Sequence, residues 1–96
     1  MVRSIMSYKI DFWDEAKEAI EKWKKSNRKS FDKLTRILRE IAIHPKMGTG
    51  HPEPLKGGGG ITYSRRISAH DRIIYKIYEE EDTVYVIKVE GHYDDK

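Results

Sequence analysis

Apolar residues along this chain recur first at helical and then at strand spacing. Residues 8–12, Tyr-Lys-Ile-Asp-Phe, alternate apolar and polar and predict a short first strand. Phe12, Ala16, Ala19, Ile20 and Trp23 then follow one another at spacings that put them on one face of an amphipathic helix. Lys17, Glu18, Glu21, Lys22 and Lys24 fall on its other faces, where i,i+4 pairs support it. Ser26-Asn27 breaks the pattern and can cap a second helix over about residues 29–44. Phe31, Leu34, Ile37, Leu38 and Ile41 share a face of that helix, and Pro45 ends it. So short a break between two helices favours an antiparallel hairpin.

The period changes after an irregular stretch. Residues 45–60 hold all three prolines and six of the seven glycines, which predicts a loop ending in the run Gly57-Gly58-Gly59-Gly60. Beyond it Ile61, Tyr63, Arg65 and Ile67 alternate with Thr62, Ser64, Arg66 and Ser68, a period of two. Residues 72–78 and 84–89 are β-branched and aromatic, and Glu79-Glu80-Glu81-Asp82 between them reads as a hairpin turn. The expected fold is α+β: an N-terminal strand and a two-helix hairpin packed on an antiparallel β-sheet meander. The helices cover one sheet face and leave the other for a ligand. In the last strand Tyr85, Ile87 and Val89 share one parity, and Lys88, Glu90 and His92 the other. The open face is thus expected to carry Arg66, Arg72, Lys76, Lys88 and His92, with Glu53 and Lys56 of the loop at its rim.

Length makes this one domain over residues 1–96, with 1–6 a loose leader and 94–96 a C-terminal extension. The chain is 38% apolar and 36% charged, enough for one small core. It has no cysteine, which excludes disulfides, thiol nucleophiles and Cys-ligated zinc. No apolar run approaches the ~18 residues of a membrane span, and there is no signal-peptide core, so a cytoplasmic protein away from membranes is expected. The net charge of +3 is uneven. The first three-quarters is basic, whereas residues 77–96 set Glu79, Glu80, Glu81, Asp82, Glu90, Asp94 and Asp95 against Lys88 and Lys96. A basic body of this kind is compatible with a nucleic-acid partner. His44, His51 and His70 show no ligand spacing, so no metal or cofactor is expected. The glycine run lacks the Lys-Ser/Thr and following helix of a phosphate loop.

RNA can be cut without a metal, its own 2′-hydroxyl attacking the adjacent phosphorus. A base near the 2′-oxygen, an acid near the leaving 5′-oxygen and cations on the phosphorane then assist. Glu53, His92, Arg72 and Arg66 are the residue types for those tasks, and Pro52 and Pro54 restrict the backbone on either side of Glu53. Taken singly, each is as readily a solvated surface residue. The residues alone describe a small basic α+β domain with the features of an RNA binder.

A combination of motifs goes further. Gly48-Thr49-Gly50-His51-Pro52-Glu53-Pro54-Leu55-Lys56, Ser64-Arg65-Arg66-Ile67, Arg72-Ile73-Ile74-Tyr75 and the late His92-Tyr93 occur in one order and spacing. Over about residues 7–93 they resemble the YoeB (Txe/YoeB) toxins of bacterial toxin–antitoxin systems, in the RelE/ParE superfamily. The resemblance implies a microbial-ribonuclease-like fold and cleavage of mRNA in the A site of the 70S ribosome, leaving a 2′,3′-cyclic phosphate. It implies that Glu53 is the general base and His92 the general acid, with Tyr93 orienting substrate and Arg72 stabilising the phosphorane. Lys56, Arg65, Arg66, Lys76 and Lys88 are the expected RNA contacts. A cognate antitoxin of the YefM/Phd type would neutralise the toxin, and self-association as a homodimer through the helices is open. The competing functions are ParE-like inhibition of DNA gyrase and a catalytically inactive module that binds RNA or antitoxin. Asp94-Asp95-Lys96 extend past the point where the family usually ends.

Overall fold

In a computed structural model, residues 7–90 are described. The leader 1–6, His92, Tyr93 and the extension 94–96 lie outside the described residues. The elements are β1 (Lys9–Phe12), α1 (Asp14–Ser26), α2 (Arg28–Ile43), β2 (Glu53–Pro54), β3 (Thr62–Arg66), β4 (Arg72–Tyr78) and β5 (Thr83–Glu90), with a 3₁₀ turn at Glu79–Glu81 before β5. The two helices and the meander β3-β4-β5 stand where the hydrophobic periods place them.

Charges suit the ends of α1: Asp14 and Glu15 lie in its first turn, Lys24 and Lys25 in its last. Asn27 alone joins the helices. Its N–H donates to the Trp23 carbonyl, and its side-chain oxygen accepts from the Ser30 N–H at 3.3 Å. Ala16 and Trp23 of α1 and Leu34, Ile37 and Ile41 of α2 are buried against Ile73, Tyr75, Ile77, Val84, Val86 and Val89 of the sheet.

The sheet has five strands in the order β1-β5-β4-β3-β2. It differs from a pure antiparallel meander at both edges. β1 pairs with β5 in parallel, Ile10 opposite Val84 and Phe12 opposite Val86. The long stretch of chain between them, which holds both helices and three strands, permits that direction, which a tight turn would not. At the other edge the expected loop contributes β2, with Glu53 opposite Ser64 and Pro54 opposite Tyr63. A proline is admissible there because an edge strand needs only one row of hydrogen bonds.

Strict alternation also fails once within β5. Tyr75 pairs with Val86 and Ile74 with Lys88, so the register shifts and Ile87 is the extra residue of a β-bulge. Val84, Val86 and Val89 all turn inward, while Tyr85 and Lys88 share the open face. Parity alone would have set Tyr85 and Lys88 on opposite faces.

Leu34→Ala is expected to cost about 2–5 kcal/mol by leaving a cavity under the sheet. Ile43→Ala, at a position 56% exposed, should cost no more than about 0.5 kcal/mol. Urea denaturation of the two variants beside wild type checks the contrast.

Candidate active site on the open sheet face

Strand register assembles the site. On the open face one cross-strand row runs Glu53, Ser64, Ile74, Lys88, and the next runs Arg66, Arg72, Glu90. A shallow cleft of about 40 Å³ is lined by Gly50, His51, Glu53, Ser64, Arg66 and Arg72. Glu53 is exposed on the two-residue β2. Arg66 and Arg72 face each other directly, at the end of β3 and the start of β4. Like charges in that position repel. The side chains of Glu53, Arg66 and Arg72 have no hydrogen-bond or ion-pair partner among the described residues. Asp71, next to Arg72, instead accepts from the Ser68 hydroxyl at 2.7 Å and shapes the β3–β4 turn. The arrangement can receive a proton at the carboxylate and hold an anion between two guanidinium groups.

The loop under Glu53 is fixed from inside the protein. Arg65, expected as an RNA contact, is fully buried, and that expectation is corrected. Its Nη2 donates to the carbonyls of His44 at 2.9 Å and Met47 at 3.0 Å, and its Nη1 to Glu40 Oε1 at 3.1 Å. Its Nε donates to the Tyr75 hydroxyl at 3.4 Å, and that hydroxyl donates to the Pro45 carbonyl at 2.7 Å. Glu40 also accepts from the Thr49 N–H at 2.9 Å and the Thr49 hydroxyl at 2.7 Å. One guanidinium therefore ties β3 to the end of α2 and to residues 44–49. The Thr49 hydroxyl above all, then its N–H and the Arg65 charge, hold the Glu40 carboxyl below the usual carboxylate range. Burial pushes the Tyr75 phenol up, and Arg65 opposes that shift. The sequence did carry the signal, since Arg65 shares its strand parity with Ile61, Tyr63 and Ile67.

Gly50 completes the attachment. Its carbonyl accepts from the Arg66 N–H at 2.8 Å, and a Cβ on it would collide with the Arg66 carbonyl. Its φ of +89° also suits glycine. His51, beside it, holds a left-handed φ of 51° and lines the cleft. Metal-ligand spacing gave it no role. Its nearness to Glu53 in sequence was the only signal for its position.

The other expected RNA contacts divide. Lys88 stands on the same face in the row of Glu53 and reaches Glu90 at 3.9 Å. Lys56 is exposed just past β2 and does not line the cleft. Lys76 lies four residues along β4 from Arg72, with Nζ 5.5 Å from the centre of the Trp13 ring. His92 and Tyr93 fall outside the described residues. Among the described residues there is no group of three or more His, Cys, Asp or Glu able to hold a metal ion. No helix there is long and apolar enough to cross a membrane.

Two helices on one face of a five-stranded sheet, with the other face open, is the architecture of the YoeB and RelE toxins. The YoeB/ParE toxin from Agrobacterium tumefaciens superposes with a TM-score of 0.80 at 29% identity, over 88% of this chain and 99% of that one. The toxin of a YoeB-YefM complex from Staphylococcus aureus does so at 0.77 and 28%, over 90% and 98%. Toxin YoeB of Streptomyces coelicolor is 34% identical over 85 residues, 88% of this chain and 99% of that protein. The family model for the YoeB-like toxin of bacterial type II toxin-antitoxin systems matches residues 12–93. The chain belongs to that family.

Arg65→Met should lower stability by about 2 kcal/mol or more, because it strips buried carbonyls of their donors. Glu40 supplies a pH test. Its folded pKa is depressed, so its stabilisation is complete above the unfolded value of about 4.3 and is lost as pH falls through the lower folded value. Glu40→Gln should lower stability at neutral pH and flatten the acid limb. Urea midpoints between about pH 2 and pH 7 would read both effects.

Proposed function

We propose that the protein is a ribosome-dependent mRNA endoribonuclease that works without a metal. The observation that carries this reading is the cleft in which Glu53, Arg66 and Arg72 converge, with two opposed arginines that no carboxylate pairs among the described residues. An RNA phosphate is the anion that fits both the charge and the open face. In this reading Glu53 removes the proton from the 2′-hydroxyl, and the 2′-oxygen attacks phosphorus. Arg72 and Arg66 take the negative charge as it spreads over the phosphorane oxygens. His92 protonates the departing 5′-oxygen, and Tyr93 orients the substrate. The bond to the 5′-oxygen breaks, leaving a 2′,3′-cyclic phosphate and a 5′-hydroxyl. Lys56 and Lys88 contact the flanking backbone. The reaction belongs to the cytoplasm, where translating ribosomes are. A YefM-type antitoxin neutralises the protein in this reading, its acidic segment covering the basic cleft as it folds.

The test is cleavage of an A-site-programmed mRNA on purified 70S ribosomes, with end-group mapping. Wild type should cut within the A-site codon and leave the cyclic phosphate. Glu53→Gln and His92→Ala should each slow the single-turnover rate by about 10²–10⁴-fold. Neither should shift the thermal midpoint by more than a few degrees. With chemistry limiting, the rate should be bell-shaped in pH, because one group must be deprotonated and the other protonated. No cut by folded protein would overturn the reading, and inhibition of gyrase supercoiling would then be measured.

A further inference from the structure

The open face does not end at the cleft. Four residues along β4 from Arg72, about 13 Å at ~3.3 Å per residue, lies a second cavity of about 200 Å³ lined by Trp13, Lys76, Tyr78, Glu81 and Tyr85. Cross-strand pairing builds it: Lys76 opposes Tyr85, and Tyr85 opposes Asp11 of β1. Trp13 stands at the β1–α1 junction, where its N–H donates to the Val86 carbonyl at 2.9 Å. The residue is 45% exposed. Tyr78 and Tyr85 meet edge to face with ring centres 5.2 Å apart. The Tyr85 hydroxyl lies 3.4 Å from Glu81 Oε1, whose charge pushes the phenol pKa up. The neighbouring Glu79 carboxylate is occupied by the Tyr8 hydroxyl at 2.7 Å and by Lys46 at 3.2 Å. Glu81 is thus the carboxylate of this cavity.

None of these five side chains has a part in the core or in the proposed chemistry. Together they offer what recognises an unpaired base. Aromatic faces stack on it, a carboxylate accepts from exocyclic amino hydrogens, and a lysine meets the phosphate. The cavity is smaller than the roughly 300–1,000 Å³ of drug-sized sites, which suits a single ring system. It shares one open face with Arg66 and Arg72, at a distance that a short stretch of extended single strand covers.

We infer that the Trp13–Lys76–Tyr78–Glu81–Tyr85 cavity is a nucleobase subsite for single-stranded RNA whose phosphate lies at the Arg66/Arg72 cleft. Glu81 makes it prefer an amino-bearing base over uracil. The inference rests on the proposed RNA-cutting activity, but binding can be measured without cleavage.

The probes are 2′-O-methylated hexacytidylate and hexauridylate, which lack the attacking hydroxyl, titrated at low salt while tryptophan emission is followed. Hexacytidylate should quench the exposed Trp13 and bind at least about 5-fold tighter than hexauridylate. Tyr85→Ala should weaken binding about 10-fold, Tyr85→Phe much less, and Glu81→Gln should erase the preference between the two probes. Thermal midpoints would confirm that each variant is folded. Tyr85→Ala and Lys76→Ala binding like wild type, with Arg72→Ala weakened, would overturn the subsite. So would intact ribosomal cleavage with no quench by either probe, an outcome that leaves the activity standing. Quench and base preference without ribosomal cleavage would keep the subsite and remove the activity.

Discussion

The open face depends on a buried guanidinium. Arg65 enters the interior from β3, and its donors go to Glu40, to two carbonyls of the segment after α2 and to the Tyr75 hydroxyl. A charged group so deeply placed is tolerable only when its hydrogen bonds are met. Here two of the partners that meet them, the His44 and Met47 carbonyls, belong to the loop leading to Glu53. Desolvation of one arginine and ordering of residues 44–49 are therefore a single event. Glu40, 41% exposed in its side chain, keeps contact with water. That lowers the cost of burying its partner and makes the clamp sensitive to acid.

From this anchor the rest of the site follows by register. Once residues 44–50 are held, Gly50 can reach the backbone of Arg66, and β2 can pair with β3. That pairing brings Glu53 level with Ser64, one row from the opposed arginines. The bulge at Ile87 keeps Tyr85 and Lys88 on one face while three valines stay inside. The same sheet thus presents a charged cleft toward the start of β4 and an aromatic cavity toward its end.

Much of this was legible in the chain. The helices, the three meander strands and the two-sided character of the sheet follow from apolar spacing. Glu53 between two prolines, Arg66 and Arg72 could be named as candidates by residue type, and the motif order led to the family. The burial of Arg65 was written in its strand parity, against the usual exposure of arginine. β2 was hidden because two residues within a proline- and glycine-rich stretch have no period to detect. Trp13 stands between a strand and a helix. Nothing local ties it to Lys76 and Tyr85, which lie more than sixty positions away.

By itself the sequence determined the helices, the longer strands, most of their buried faces and the residue types available for chemistry, because hydrophobic period and turn composition act over a few residues. Only the tertiary structure decided which arginine serves the core and which the surface. It also decided that β1 runs parallel to β5, that a proline-flanked glutamate becomes an edge strand, and that aromatic residues from β1's end, β4 and β5 form one cavity. Those outcomes turn on strand register and on where a buried charge finds its partners. Both are settled between segments far apart in the chain, where local pattern has no purchase.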